Sequence, residues 1–191
     1  MVDKLFDVIC TNFNTEVRTD IRQQLFIQSA TMNMSDSERA QFVGLPEGCR
    51  MREGAKIISP ENLRIGRNVW IGENAILDAS GGLEIGSNTS VGLGVYIWTH
   101  DSHKLNRAGT NTQAASDEIR RKRTRIEERC FIAGPSIIMP GVTLGAGTIV
   151  APMSVIYRDT EPESTCTPYR DMLSLLKRVD ELEKRLEELR G

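Results

Sequence analysis

Aliphatic residues recur every six positions through the middle of this chain, a period that fits neither an amphipathic helix nor a simple alternating strand. Ile65, Ile71 and Leu77 share that spacing and, after a two-residue insertion, so do Ile85, Val91 and Ile97. A second run continues unbroken through Ile126, Ile132, Ile138, Leu144, Val150 and Ile156. Gly66, Gly72, Gly86, Gly92 and Gly145 directly follow an aliphatic, while Leu63, Val69, Ala75, Leu83, Thr89, Val95, Thr148 and Ser154 stand two residues before one. Residues two apart on a strand point the same way. Gly or Asn after each strand suits a backbone that must turn there, because these residues tolerate positive φ at least cost. Each unit is therefore a very short strand plus a corner. Three units close a triangular coil of about eighteen residues, and stacked coils pair each strand with its neighbours at about 4.8 Å. The repeat predicts a mainly β chain built as a parallel β-helix of about four coils over residues 51–158. Ordinary antiparallel hairpins have no need of a hexad phase held over so many units.

The pattern changes at both ends. In residues 1–50, Ser35-Asp36-Ser37-Glu38 has the spacing of a capping box, and Leu25, Phe26 and Ile27 lie in a mixed segment before it. Two or three short helices are expected there, covering the first coil, because an open coil end is an unpaired strand edge. Within residues 159–191, Met172, Leu175, Val179, Leu182, Leu186 and Leu189 alternate steps of three and four. That is a heptad seam on an amphipathic helix. Asp180 with Lys184 and Glu181 with Arg185 have the favourable acid-first order for an exposed helix. The seam fits a parallel coiled coil between subunits, or a helix lying on its own or a neighbouring β-helix.

The hexad period vanishes over residues 98–125, and a solenoid accommodates such an interruption only as an extruded loop. Both histidines of the chain lie at its start, in Ile97-Trp98-Thr99-His100-Asp101-Ser102-His103. Long loops on rigid scaffolds concentrate binding and catalysis, and imidazole titrates where a general base is useful near neutrality. Surface histidines are commonly only solvated; placement at the one long break in the repeat argues for function.

Composition narrows the classes. The 191 residues suffice for one substantial core with appendages, and 24 basic against 26 acidic side chains leave a net charge of −2. Nothing global favours nucleic acid or an anionic membrane. No stretch approaches the roughly 18 apolar residues of a membrane span, and the N-terminus does not read as a secretion signal, so a soluble cytoplasmic protein is expected. Cys10, Cys49, Cys130 and Cys166 have neither metal-site nor disulfide-framework spacing.

The segments Leu-Arg-Ile-Gly-Arg-Asn-Val-Trp-Ile-Gly-Glu-Asn and Ile-Met-Pro-Gly-Val-Thr-Leu-Gly-Ala-Gly-Thr-Ile-Val-Ala-Pro-Met-Ser-Val-Ile resemble the hexapeptide-repeat acetyltransferases, with a likeness running over roughly residues 57–158. Left-handed coiling is implied by that resemblance alone, since general crossover rules favour the right hand. It further implies acetyl-CoA as co-substrate, no metal, a saccharide acceptor in surface polysaccharide assembly, and a homotrimer with sites between subunits. His100 matches the histidine retained after an aromatic-Thr pattern and is the first choice as general base. His103 is either the base or a substrate ligand. Asp101 either orients an imidazole or is solvated.

Asn74 falls where similar sugar acetyltransferases bind the acceptor, and it also fits a plain corner residue. Trp98 is a pocket wall or packs at a subunit contact. The resemblance places coenzyme A contacts at Ala133, Gly134, Ala151, Pro152, Tyr157 and Arg158. Arg120, Arg121, Lys122, Arg123 and Arg125 offer forked or point cations for its phosphates, or simply a solvated face. Tyr157 replaces a common Thr, Ala133-Gly134-Pro135 replaces a more glycine-rich wall, and Glu161–Cys166 stands where an Ala-Gly-Asn-Pro-Ala-like turn is common.

The resulting expectation is an O-acetyltransferase with direct attack on the thioester. An amino-sugar N-acetyltransferase is the nearest variant and a non-catalytic scaffold the structural alternative. A zinc enzyme on this solenoid requires three His ligands per metal, more than one copy of this chain supplies.

Overall fold

A computed structural model describes residues 32–107, 109, 119–168 and 170–190. The hexads form a left-handed parallel β-helix of about five turns. Its first face stacks Arg50–Met51, Trp70–Ile71, Ser90–Val91, Phe131–Ile132, Ile149–Val150 and Thr165–Cys166. Its second stacks Lys56–Ile58, Ile76–Asp78, Tyr96–Ile97, Ile137–Ile138 and Val155–Ile156, and its third Leu63–Ile65, Leu83–Ile85, Thr124–Ile126 and Thr143–Leu144.

Register explains the period. Ile71, Val91, Ile132 and Val150 are partners on the first face. Leu77, Ile97, Ile138 and Ile156 are partners on the second, and Ile65, Ile85, Ile126 and Leu144 on the third. The in-phase aliphatics are thus three vertical columns lining one core, buried except for Ile65 near the first coil. Small residues two positions earlier fill the corners, and the polar ones are satisfied there. Thr89 Oγ1 donates to Glu127 O at 3.1 Å, Ser136 Oγ to Ala133 O at 2.7 Å and Ser154 Oγ to Ala151 O at 2.6 Å.

The glycines behave differently from expectation. Gly72, directly after Ile71, is not at positive φ; a Cβ there would lie 2.5 Å from the backbone of Gly92 and Leu93 in the next coil. Close stacking excludes a side chain at that position. The left-handed conformation falls instead three residues after the aliphatic, at Asn68 (φ 57°), Asn74 (φ 56°) and Asn88 (φ 59°). Asn68 and Asn88 also join neighbouring coils through an amide hydrogen bond of 3.1 Å.

Helix α1 (Asp36–Phe42) closes the first coil. Ser35 and Glu38 form the expected capping box, Ala40 is buried, and the Arg39 guanidinium donates to Met51 O and Met34 O, both at 2.6 Å. The Leu25–Ile27 segment and the other expected cap helices lie outside the described residues. At the other end the ladder continues beyond residue 158: Leu144 bridges Thr160, and Thr165–Cys166 pairs with Ile149–Val150. A short helix, α2 (His103–Arg107), follows the point where the chain leaves the coil, and the long helix α3 (Arg170–Arg190) ends the chain.

Candidate active site

The strand Tyr96–Ile97 continues in extended alternation, with Ile97 and Thr99 buried and the rings of Tyr96, Trp98 and His100 on the opposite side. Those rings meet edge to face, with centroids 6.1 Å apart for Tyr96 and Trp98 and 6.0 Å for Trp98 and His100. The chain then leaves the solenoid. His100–Asp101 pairs antiparallel with Arg120–Arg121, setting His100 opposite Arg121 and Asp101 opposite Arg120. Lys122 N–H donates to Thr99 O at 2.8 Å as the chain returns, and the third face resumes at Thr124.

Beneath this two-stranded stalk sits the two-residue insertion between Leu77 and Ile85. Asp78, fully buried, ends the second-face strand and turns its carboxylate to the coil above. Its Oδ2 accepts from Thr99 N–H at 2.8 Å and Thr99 Oγ1 at 3.0 Å, and lies 2.7 Å from His100 Nδ1; its Oδ1 accepts from Ser80 N–H at 3.0 Å. Ser80 Oγ is 3.2 Å from the same Nδ1. Gly81 N–H donates to Thr99 Oγ1 at 2.8 Å, and a Cβ on Gly81 would come within 2.3 Å of Thr99 O. The insertion thus folds tightly enough to place Ser80 and Asp78 under one imidazole.

Electrostatics keep Asp78 ionised. Burial raises the Asp78 pKa, but hydrogen bonds from the Ser80 side chain, the Thr99 and Ser80 backbones and His100 outweigh it, lowering the pKa from 3.8 to about 2. An ionised carboxylate only accepts, so the neutral imidazole facing it is the tautomer with the hydrogen on Nδ1 and the lone pair on Nε2. The His100 side chain is 31% exposed, so a substrate can reach it.

His103 is placed otherwise. Its Nδ1 and its backbone N–H both bond Asp101 Oδ1, and its side chain is 60% exposed. The backbone bond first, then the side-chain bond, lowers the Asp101 pKa. Asp101 therefore orients His103 and not His100.

The remaining predicted residues divide between two edges of the prism. Asn74, Ala133, Gly134, Ala151 and Pro152 occupy corners between the first and second faces. At Gly134 a Cβ would lie 1.7 Å from Leu93 O, so the wall there is backbone. Trp98, Tyr157 and Arg158 follow second-face strands and share the His100 edge: since Ile97, Ile138 and Ile156 are partners, Trp98, Met139 and Tyr157 stack in register. Arg158 Cζ lies 5.6 Å from the Tyr157 ring centroid. Of the loop cations, Arg123 and Arg125 are held by Glu84, at 3.3 Å and 2.9 Å.

Sequence reading missed Asp78 and Ser80, and gave Thr99, within the His-bearing segment, no role. A signal existed: Leu77 and Ile97 are column partners, which aligns position 80 with position 100 across adjacent coils. Among the described residues, no group of three or more His, Cys, Asp or Glu could hold a metal ion, and no helix is long and apolar enough to cross a membrane.

Repeat and register together make this fold a left-handed parallel β-helix wound from six-residue units. The family model described as hexapeptide repeat of succinyl-transferase matches residues 62–98 and 123–156, omitting the extrusion. The chain is 26% identical over 117 residues to WcaF of Escherichia coli (strain K12), assigned to colanic acid biosynthesis as an acetyltransferase; the match covers 61% of this chain and 59% of WcaF. It therefore spans about three fifths of the length of that curated relative. The fold resembles a hexapeptide-repeat-containing acetyltransferase from Vibrio cholerae, with a TM-score of 0.62 and 22% identity over 75% of this chain and 82% of that one. The Vibrio cholerae protein complexed with acetyl coenzyme A matches at a TM-score of 0.55 and 21% identity, over 79% of this chain and 85% of that one.

Proposed function

We propose that the chain is an acetyl-CoA-dependent acetyltransferase acting on a saccharide hydroxyl, with His100 as general base and Asp78 as the residue that positions it. The observation that carries this reading is the 2.7 Å contact between His100 Nδ1 and a buried, ionised Asp78, which leaves Nε2 to take a proton. The likeness to WcaF supports a sugar acceptor, and the acetyl-CoA complex of the Vibrio cholerae protein supports the donor.

The hydroxyl oxygen attacks the thioester carbonyl as Nε2 removes its proton, forming a C–O bond and a tetrahedral oxyanion. Asp78 stabilises the resulting imidazolium through Nδ1–H. Collapse of the intermediate breaks the C–S bond, and the imidazolium returns the proton to the departing thiolate. Backbone N–H groups of the coils stabilise the oxyanion. Acetyl-CoA supplies the activated acyl group. The chain's residues suit it: Tyr157 offers an exposed ring, Arg158 a guanidinium for phosphate, and Gly134 a bare backbone wall where the pantetheine arm would lie. No metal takes part in this scheme.

The division of residues between two edges supports a homotrimer. A neighbouring subunit that sets its Ala133–Gly134 and Ala151–Pro152 corners against this chain's His100 edge would unite donor and base. The reading places the protein in the cytoplasm, where acetyl-CoA is available, with small molecules rather than nucleic acid or membrane as partners.

The test is thiol release from acetyl-CoA over a panel of neutral sugars and amino sugars, with light scattering on the same preparation. Turnover with a hydroxyl acceptor that is lost in His100→Ala is expected. Turnover with amino sugars alone would move the acceptor to an amine, and failure to bind acetyl-CoA would leave a scaffold. A monomer in solution would remove the shared-site arrangement.

A further inference from the structure

Helix α3 carries an apolar stripe that none of the described residues covers. Every described side chain from Leu176 to Leu189 is exposed, including Leu176 at 52%, Val179 at 47%, Leu182 at 55% and Leu186 at 54%. A helix docked along its own solenoid would bury that stripe; this one does not. Large aliphatics exposed in a row at heptad spacing are unstable in water without a partner.

From this seam we propose that α3 packs in parallel and in register against the α3 helices of other copies of this chain. Val179 and Leu186 take the a positions of the heptad, and Leu182 and Leu189 the d positions. The flanking charges favour the parallel direction over the antiparallel one. Arg178 and Arg185 stand at g, and Glu183 and Arg190 at e, so a parallel neighbour brings Glu183 to Arg178, while Arg185 meets Arg190 only at the last turn. In an antiparallel pair g faces g, and the two basic positions would oppose each other. The outer face is already provided for in water by Asp180 with Lys184, four residues apart in the acid-first order.

Placement in the chain agrees. Only residues 167–169 separate the last ladder strand, Thr165–Cys166, from the start of α3. A parallel bundle therefore gathers the same end of each solenoid. The helices would clamp the copies together at the end remote from α1, independently of any contact between solenoid faces and of the catalytic reading above.

The experiment uses the full chain with single cysteines introduced on α3. In a parallel in-register bundle a d-position residue meets its own copy, so Leu182→Cys is expected to form disulfide-linked subunits on mild oxidation. Asp180→Cys, on the outer face, is expected to give no more cross-linking than the unmodified chain, which controls for the natural cysteines. Absent linkage at 182, or equal linkage at 180 and 182, would overturn the proposal. A second variant, Leu182→Asp with Leu186→Asp, alters exposed residues only and leaves the solenoid core intact. Its helical ellipticity is expected to fall, because an isolated helix of this length is marginal in water. Dissociation should also shift to concentrations about tenfold higher or more, from the loss of buried leucine surface. Wild-type ellipticity together with an unchanged dissociation midpoint would overturn the proposal equally.

Discussion

Asp78 and His100 stand 22 positions apart in the chain and 2.7 Å apart in space, joined across adjacent coils where the hexad repeat carries its two-residue insertion. The contact sets the tautomer of the imidazole, so each partner has a distinct kinetic signature. His100→Ala removes the proton acceptor and is expected to lower kcat by about 10²–10⁴-fold. Asp78→Asn keeps the shape but lets the ring adopt the wrong tautomer, with an expected loss of about 10²-fold or more. Neither substitution touches the donor, so KM for acetyl-CoA should hold. Steady-state thiol release measures both; wild-type turnover in Asp78→Asn would remove Asp78 from the mechanism.

The same carboxylate makes stability depend on acid. Its folded pKa of about 2 lies below the ordinary 3.8, so folding favours the ionised form. The contribution, roughly 2 kcal/mol, is fully present above the ordinary carboxylate range and is lost as pH falls through the folded value. Thermal melts of the wild type and Asp78→Asn from neutral pH downward should show a gap in Tm that closes between about pH 4 and pH 2. A gap unchanged at pH 2 would mean that the Asn variant is destabilised by something other than lost charge.

The fold was legible in the sequence because its cause is one-dimensional: columns such as Leu77, Ile97, Ile138 and Ile156 repeat a local spacing that the core demands. The extrusion was legible for the same reason, as a loss of phase. Asp78 was not, because its partner lies on another coil and its spacing to His100 depends on the insertion between Leu77 and Ile85. The roles of the glycines were also hidden. Composition cannot distinguish a residue that must adopt positive φ, such as Asn74, from one that must lack a side chain, such as Gly72. Nor did the heptad pattern decide where α3 packs; the exposure of its described side chains, Leu176 to Leu189, sets that stretch clear of its own solenoid.

That distinction at the corners is measurable. Gly72→Ala puts a Cβ 2.5 Å from backbone atoms of Gly92 and Leu93, which cannot rotate away, and is expected to cost about 3 kcal/mol. Asn74→Gly, at φ 56°, relieves the backbone at a modest entropic cost and is expected to stay within about 1 kcal/mol of wild type. Denaturant unfolding checks both. The second variant also tests Asn74 as an acceptor contact: a raised KM for the sugar at unchanged stability assigns it that role, and an unchanged KM leaves it a corner residue.

His103 provides the sharpest contrast within the site, because it has the same side chain as His100 in a different environment. Asp101, its partner, is two residues away and belongs to the exposed stalk, whereas Asp78 is buried in the solenoid. An imidazole on the five-residue helix α2, 60% exposed, gains no fixed direction from the coil below it. Preorganisation is what a general base contributes beyond its pKa, and of the two rings only that of His100 is held by a fully buried carboxylate. His103→Gln is therefore expected to change kcat by no more than a few-fold, with any effect appearing in KM for the acceptor. Measured beside His100→Ala on the same sugar, a loss in His103→Gln equal to that of His100→Ala would transfer the role of base to His103.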